Sequence, residues 1–301
     1  MSRDYIGLNS SRRMVEWRMK RRSRDPRTFN DRLAFKMVHD RRPMLTYVAD
    51  KVLVREYISS IVSGDQLAMS MAVASAPEEI DWEGLPREHV VKVNHGSGGI
   101  VMITDDAEED AHLPTVGSRV DWARFRVKPE NAHPDRIMDL CRHWLTLNYS
   151  WARGRPTVQW CYQDIAPRIL IEELLRDVRG RHPQEYRLFV INGSVAFAQV
   201  EIDTYGQHRT AVMSPTWDRL PVQFVDPPPR ETPERPGNWQ EMIEVAERLA
   251  RPIIDFVRVD MYDLGDRFVV GELTHYPSGG TAPISSHELA LAWGRDWAIP
   301  Y

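Results

Sequence analysis

Arg258-Val259-Asp260-Met261-Tyr262-Asp263-Leu264-Gly265-Asp266-Arg267-Phe268-Val269-Val270-Gly271-Glu272-Leu273-Thr274 is the stretch on which the fold reading turns. Phe256 to Tyr262 has the β-branched and aromatic content of a strand, Leu264-Gly265-Asp266 reads as a turn, and Arg267 to Thr274 as the returning strand. Such a hairpin brings Asp260 and Glu272 side by side although they stand twelve positions apart. Acids are disfavoured within strands unless something uses them. Two carboxylates on rigid strands, pointing the same way, suit a Mg²⁺ ion that also holds nucleotide phosphates. The alternative is a pair of solvated acids on an edge hairpin.

Working outward, the next informative segment is Val90-Val-Lys92-Val-Asn-His95-Gly96-Ser97-Gly98-Gly99, followed by a second strand from Ile100 to Thr104. This is a hairpin with a glycine-rich tip. Residues without side chains let backbone N–H groups turn toward a phosphate, and Ser97 adds a hydroxyl donor. Lys92, at the strand end, is placed to reach phosphate oxygens as a point charge. No Gly-Lys-Ser/Thr follows at Walker A spacing, so this is not a P-loop. Asp50-Lys51 opens a helix predicted to run to Ile61, and Lys51 either serves the same phosphates or is an ordinary surface lysine.

Leu170-Ile-Glu172-Glu173-Leu174-Leu175 reads as a buried strand ending in acids. A strand passing into a linker offers backbone groups to an adenine edge, and Glu172 can accept from the adenine amine. Glu185, or alternatively Asp177, can accept from ribose hydroxyls, and each of these acids can equally be a solvated strand end. His95 and His275 flank the proposed site loops, where a lone histidine is more often structural than catalytic.

The remaining elements are predicted as follows. Thr28-Phe29-Asn30 reads as a cap entering a helix from Asp31 to His39. Asp135 to Tyr149 is helical, and Asn192-Gly193 joins strands Tyr186–Ile191 and Val195–Ile202 in a tight hairpin. A proline-rich connector spans Pro227 to Pro236, and Trp239 to Ala250 is an amphipathic helix. Hairpins alternate with helices without regular βαβ succession. That argues for an α+β fold with antiparallel sheets, against a doubly wound nucleotide fold.

Bulk properties bound the function classes. The chain has 301 residues, 42% hydrophobic and 27% charged, with a net charge of −4. That is an ordinary globular composition with no basic field for nucleic acid. Two cysteines, Cys141 and Cys161, form neither a disulfide framework nor a metal motif. No apolar run suits a transmembrane helix, and no secretory signal is read, so stable membrane insertion is not expected and the cytoplasm is the default location. Residues 1–25 carry eight Arg or Lys against three acids. They read as a basic helix that packs one apolar stripe on the body, or that touches a membrane surface or an acidic partner.

The order of these parts resembles the ATP-grasp superfamily, and more narrowly the TupA-like ATP-grasp family, named for teichuronopeptide synthesis. The matching stretches are Thr28-Phe-Asn-Asp-Arg-Leu33, Ala49-Asp-Lys-Val-Leu-Val-Arg-Glu-Tyr57, Val91-Lys-Val-Asn-His-Gly-Ser-Gly98, Pro167-Arg-Ile-Leu-Ile-Glu172, Glu185-Tyr-Arg-Leu-Phe-Val-Ile-Asn-Gly193, Val257-Arg-Val-Asp-Met-Tyr262 and Gly271-Glu-Leu-Thr274. The resemblance implies two α+β subdomains with antiparallel sheets clasping ATP. Residues 1–48 would then be a basic helical lead-in, 49–165 the first ATP-grasp subdomain and 166–301 the second. It implies a carboxylate–amine ligase that forms an amide through an acyl phosphate, on small-molecule carboxylate and amine substrates such as an amino acid or peptide. Lys51 and Lys92 look like the two phosphate-binding lysines, and His95, Gly96, Ser97, Gly98 and Gly99 like the mobile loop over the phosphates. Glu172, Glu173 and Leu174 look like the adenine hinge, with Glu185 as the ribose acid. Asp260 and Glu272 look like the Mg²⁺ carboxylates, and Arg258 like the arginine that stabilises the acyl-phosphate or tetrahedral state.

Two departures from the pattern matter. Thr274 stands where D-alanine–D-alanine ligases have Asn as third metal ligand, and a hydroxyl is the poorer Mg²⁺ ligand. Only about fifty residues precede Lys51, too few for the preceding domain that helps many ATP-grasp enzymes hold the acceptor. The acceptor pocket then falls to the proline-rich connector and the Thr204-to-Trp217 loop. Two other readings follow: a nucleotide-binding scaffold without ligase activity, and a glycosyltransferase of surface-polymer synthesis that prefers a nucleotide sugar to ATP.

Overall fold

A computed structural model describes residues 14–117, 120–149, 151–152, 155–156, 159–202 and 207–299. Of the basic N-terminal segment, residues 1–13 lie outside the described part, while residues 14–22 are helical, with Met14 and Trp17 exposed and Met19 buried. The chain forms two compact units. The first takes in Leu45–Glu56 and Ala68–Leu174, the second Glu16–Met44, Tyr57–Leu67 and Leu175–Tyr301.

The first unit is built on strands β1 (Ser70–Ala74), β2 (His89–Val93), β3 (Ile100–Ile103), β4 (Arg124–Val127) and β5 (Ile169–Glu173) in the order β1-β5-β2-β3-β4. All neighbours are antiparallel except β3 and β4. Alternation along β2 sends Val91 and Val93 to one face and Val90 and Lys92 to the other. The first face carries the core, in which Val101, Ile103, Ile169 and Ile171 pack with Ile137, Leu140 and Trp144 of the Pro134–Leu145 helix. The hairpin is the one expected from the sequence, and its tip is the glycine-rich segment.

The second unit holds β6 (Gln184–Ile191), β7 (Ser194–Ile202), β8 (Arg209–Met213), β9 (Phe256–Asp263) and β10 (Phe268–Thr274) in the antiparallel order β8-β7-β6-β9-β10. Asn192 and Gly193 turn β6 into β7 with φ of 49° and 80°, the two positive values that a tight hairpin of this hand requires. Helix Trp239–Ala250 presents Met242, Val245, Ala246 and Leu249 to one face of the sheet, where Leu188, Val190, Val257, Val259 and Met261 are buried. The opposite face is divided along the strands. At one end Phe189, Phe197, Val212 and Phe256 are buried with Phe29, Leu33, Trp293 and Trp297 from the Phe29–His39 helix and the C-terminal helical segment. At the other end its residues are charged. The fold is therefore α+β with two antiparallel-rich sheets, in accord with the sequence reading.

One buried feature was not foreseen. Lys36, on the apolar stripe of its helix, is fully buried. Its Nζ donates to both oxygens of Asp255 at 2.7 Å and to Asp40 at 3.2 Å, and Arg42 closes the network onto both acids. Burial pulls the Lys36 ammonium below its usual pKa against the attraction of Asp255. Removing one member strands a charge away from water, at a typical cost of about 3–5 kcal/mol. Asp255→Ala is therefore expected to lower the urea midpoint several times more than Thr28→Ala. That second change removes only the helix capping box, worth about 1 kcal/mol. Equal midpoints for the two variants would contradict the assignment.

Candidate active site

In the second sheet the register fixes the candidate site. Asp260 lies directly opposite Glu272 on β10 and opposite Arg187 on β6, and Arg258 lies opposite Thr274. Glu185 on β6 pairs with Glu201 on β7. By the two-residue period, Glu185, Arg187, Glu201, Arg258, Asp260, Glu272 and Thr274 share one face.

A bulge makes this possible. Asp260 opposes Glu272, yet the next residue, Met261, opposes Val270, so Gly271 is the extra residue on β10. The bulge lets Val270 join the apolar face while Glu272, two positions on, joins the charged one. A Cβ at Gly271 would come within 2.5 Å of the Tyr262 ring, so only glycine fits.

The charged face is closely interlocked. Arg258 donates through Nε to Asp260 Oδ1 at 2.6 Å and through Nη2 to Oδ2 at 2.5 Å, and Nη2 also reaches Thr274 Oγ1 at 3.2 Å. Arg187 donates to both oxygens of Glu185 at 2.9 and 3.1 Å and meets Glu201 at 3.0 Å. Burial, reinforced by the charge of Glu185, raises the Asp260 carboxyl to about 6 even against the pull of Arg258. Burial likewise raises Glu201. These directions mark a face with more carboxylate than it has positive charge to balance. All its acceptors are hard oxygens, the donor chemistry of Mg²⁺ rather than of zinc or copper. Asp260 and Glu272, with the Thr274 hydroxyl, thus fit an oxygen-bound divalent cation.

In the first unit Asp50 organises the lysine side of the sequence reading. It is buried, accepts from the backbone N–H of Val52 at 2.8 Å, and so caps the Leu53–Ser59 helix. It also accepts from Asn94 Nδ2 at 2.8 Å and Arg168 at 3.1 Å. Lys51, the next residue, donates to the Gly96 carbonyl. Lys92 forms an ion pair with Glu172, whose other oxygen accepts from Arg55 Nη1 at 2.6 Å. Glu173 is tied at the strand edge to Met69, through its backbone N–H at 3.1 Å and its carboxylate at 2.6 Å. Leu174 is the last residue of this unit.

The glycine-rich tip is packed rather than free-standing. Gly96 abuts Trp122, and a Cβ at Gly98, whose φ is +114°, would lie 2.1 Å from the Trp122 carbonyl oxygen. Ser97 alone among residues 94–99 is half-buried rather than buried. His95 is buried with its ring nitrogens facing the Trp144 carbonyl at 3.2 Å and the Asn94 side chain at 3.3 Å, and burial lowers its pKa. His275 is also buried, with neither ring nitrogen hydrogen-bonded among the described residues, and burial holds it well below its usual pKa. Burial thus favours the neutral form of both rings. The sequence reading did not foresee Arg187, Arg55 or Asp50 as parts of these clusters. The signal for Arg187 was the Glu185-x-Arg187 spacing, which sets both on one face of a strand.

A family model described as TupA-like ATPgrasp matches residues 31–296. No curated protein matches the chain. Among solved structures, the ATP-grasp ligase PsnB complexed with a minimal precursor is 14% identical at a TM-score of 0.41, over 77% of this chain and 54% of that one. D-alanine–D-alanine ligase from Bacillus anthracis complexed with ATP is 13% identical at 0.42, over 77% of this chain and 57% of that one. The corresponding ligase from Helicobacter pylori is 11% identical at 0.40, over 78% and 53%. The chain spans about half the length of these structures.

The raised Asp260 carboxyl has a testable sign. The folded protein keeps the proton up to about pH 6, whereas the unfolded chain releases it near 3.8. Without a divalent cation, unfolding free energy should therefore fall as pH rises between those values. Asp260→Asn should flatten that part of the profile, as followed by urea unfolding at fixed pH in EDTA. A profile unchanged by the substitution would overturn the reading.

Proposed function

Because the chain belongs to the TupA-like ATP-grasp family, we propose that it is an ATP-dependent carboxylate–amine ligase. The observation that carries this reading is the buried Asp260 set in register with Glu272 on a face short of positive charge.

In this reading Asp260 and Glu272 hold Mg²⁺, with Thr274 at the margin of the set. When bound, the ion supplies neutralisation of phosphate charge. Lys51 and Lys92 bring ammonium groups to the phosphates. Glu172 holds Lys92 in place together with Arg55, and because the Glu173 N–H is taken by Met69, the backbone of Leu174, past the strand end, meets the adenine edge. Ser97, with Gly96, Gly98 and Gly99, offers donors at the loop tip, and His95 braces that loop. Glu185, oriented by Arg187, accepts from the ribose. The substrate carboxylate attacks the γ-phosphorus and ADP leaves. An amine then attacks the acyl phosphate, the new C–N bond forms, and phosphate departs with the C–O electron pair and takes up the proton that the amine nitrogen releases. Arg258 stabilises the oxyanion between those events. The work is positioning and electrostatics, so no nucleophilic side chain is needed. The substrates are proposed to be an amino acid or peptide pair, as the neighbours' descriptions suggest: PsnB with its precursor, and the D-alanine ligases by name.

Arg258 engages both oxygens of Asp260, and this favours one alternative, a nucleotide-binding scaffold without turnover. Calorimetric titration with ATP and Mg²⁺, beside ADP release over panels of amino acids, separates the two readings. Tight binding with no turnover on any pair supports the scaffold. Lys92→Ala and Glu272→Gln are each expected to lower ADP release by about 10²–10³-fold, the usual cost of one charge-stabilising group, with unchanged circular dichroism. Turnover at the wild-type rate in either variant would refute the site.

A further inference from the structure

The charged face of the second sheet continues into a cleft within the same unit. Arg187, Glu201, Thr210 and Asp226 line it beside the apolar side chains of Leu33 and Phe224. Polar groups of both signs meet on an aliphatic and aromatic wall, the make-up of a small-molecule site.

The guanidiniums that face the cleft are already matched. Arg187 is held by Glu185 and Glu201, and Arg258 by Asp260 and Thr274. The acids keep acceptor capacity on one side: Glu201 Oε2 meets His208 and Thr210, while its Oε1 does not share them. Glu201 is 1% exposed. Its Oε1 accepts no hydrogen bond among the described residues, since Arg187 meets it at 3.0 Å as an ion contact without hydrogen-bond alignment. Asp226 is about one third exposed and meets His208 Nδ1 at 3.4 Å. A buried carboxylate oxygen without an aligned donor costs free energy that a cationic ligand would recover.

We propose that this cleft seats a primary ammonium group carried on an aliphatic body, with Glu201 and Asp226 as its ion partners. The proposal rests on the ligase reading and assigns the amine end of its substrate pair. An ammonium has three donors. Glu201 Oε1, Asp226 and the lone pairs of Thr210, whose hydroxyl already donates to Glu201 Oε2 at 3.2 Å, are acceptors for them. Leu33 and Phe224 then contact the hydrocarbon part. A metal ion is the competing occupant, because ligand atoms of Glu201, His208 and Asp226 lie within 4.8 Å of one another; the Thr210 hydroxyl and the apolar wall of Leu33 and Phe224 favour the ammonium.

Three uncharged or singly charged probes test the assignment on the full chain by calorimetry: L-leucinamide, N-acetyl-L-leucine and N-acetyl-L-leucinamide. They share a side chain and differ in whether they carry an ammonium, a carboxylate or neither. Leucinamide is expected to bind saturably, and the other two about tenfold or more weakly. Asp226→Asn, at a partly exposed position, and Glu201→Gln should each weaken leucinamide by about tenfold, the usual worth of a charge-assisted hydrogen bond. The proposal is overturned if leucinamide does not saturate, if N-acetyl-L-leucine binds as well, or if Asp226→Asn leaves leucinamide affinity unchanged. Zn²⁺ binding that Asp226→Asn abolishes, with no leucinamide binding, would assign the cluster to metal and also overturn it. Titration with ATP and Mg²⁺ on the same sample keeps the two readings apart: its failure removes the nucleotide reading, while the leucinamide pattern decides the cleft.

Discussion

One face of the second sheet sets two guanidiniums among four carboxylates, those of Glu185, Glu201, Asp260 and Glu272. Most of this charge is out of water, where an unbalanced ion is costly. Arg187 and Arg258 each serve more than one acceptor, and Asp260 still titrates near 6. Such a face is stable enough to fold, but it remains short of positive charge. The two proposed ligands, a divalent metal at Asp260 and Glu272 and an ammonium group beside Glu201, would each relieve that shortage.

Folding tolerates the arrangement because the rest of the unit is strongly apolar. The far end of the same sheet face is an aromatic cluster, with Phe29 against Phe256 at 5.2 Å and Phe197 stacked on Trp293 at 3.9 Å. The reverse face is covered by the Trp239–Ala250 helix. Burial on this scale, at roughly 25 cal/mol per Å², offsets a local electrostatic penalty. The buried Lys36–Asp255 network differs in kind. Its charges are balanced, so it has no call for an outside ion and serves as structure.

The local elements were legible in the sequence because each has a local cause. The Asn192-Gly193 turn, the Thr28 cap and the amphipathic Trp239–Ala250 helix appear where pattern and turn chemistry put them. The Asp260–Glu272 pairing was legible for a less direct reason. Simple alternation would leave Val270 and Glu272 on one face, and the pairing depends on a bulge at Gly271 that no periodicity reveals. What stayed hidden were partners brought in from distant segments. Lys36 read as one more residue of an amphipathic helix, because Asp255 lies more than two hundred positions away. Glu172 read as an acceptor for adenine, because nothing local shows Arg55 and Lys92 meeting on it. Charged pairs across long sequence separations have no period and no spacing, so single-chain reasoning sees each member as an isolated surface charge.

The glycine-rich tip shows how the same motif supports two physical roles. Read from the sequence, small residues mean freedom to move and to bring N–H groups onto a ligand. In the structure the absent side chains are also a packing requirement, since Trp122 fills the space that Cβ atoms at Gly96 and Gly98 would need. The tip is further tied down through Asn94, which donates to Asp50 and Ala166 and accepts from Arg168. Asp50 in turn caps the helix that follows Lys51. Lys51 and the loop are thus held by one shared set of hydrogen bonds, and Lys51 itself donates to Gly96. A loop braced in this way is ordered in advance, which would favour the proposed phosphate contact by pre-organisation, and Ser97 is the one of residues 94–99 left nearest to solvent.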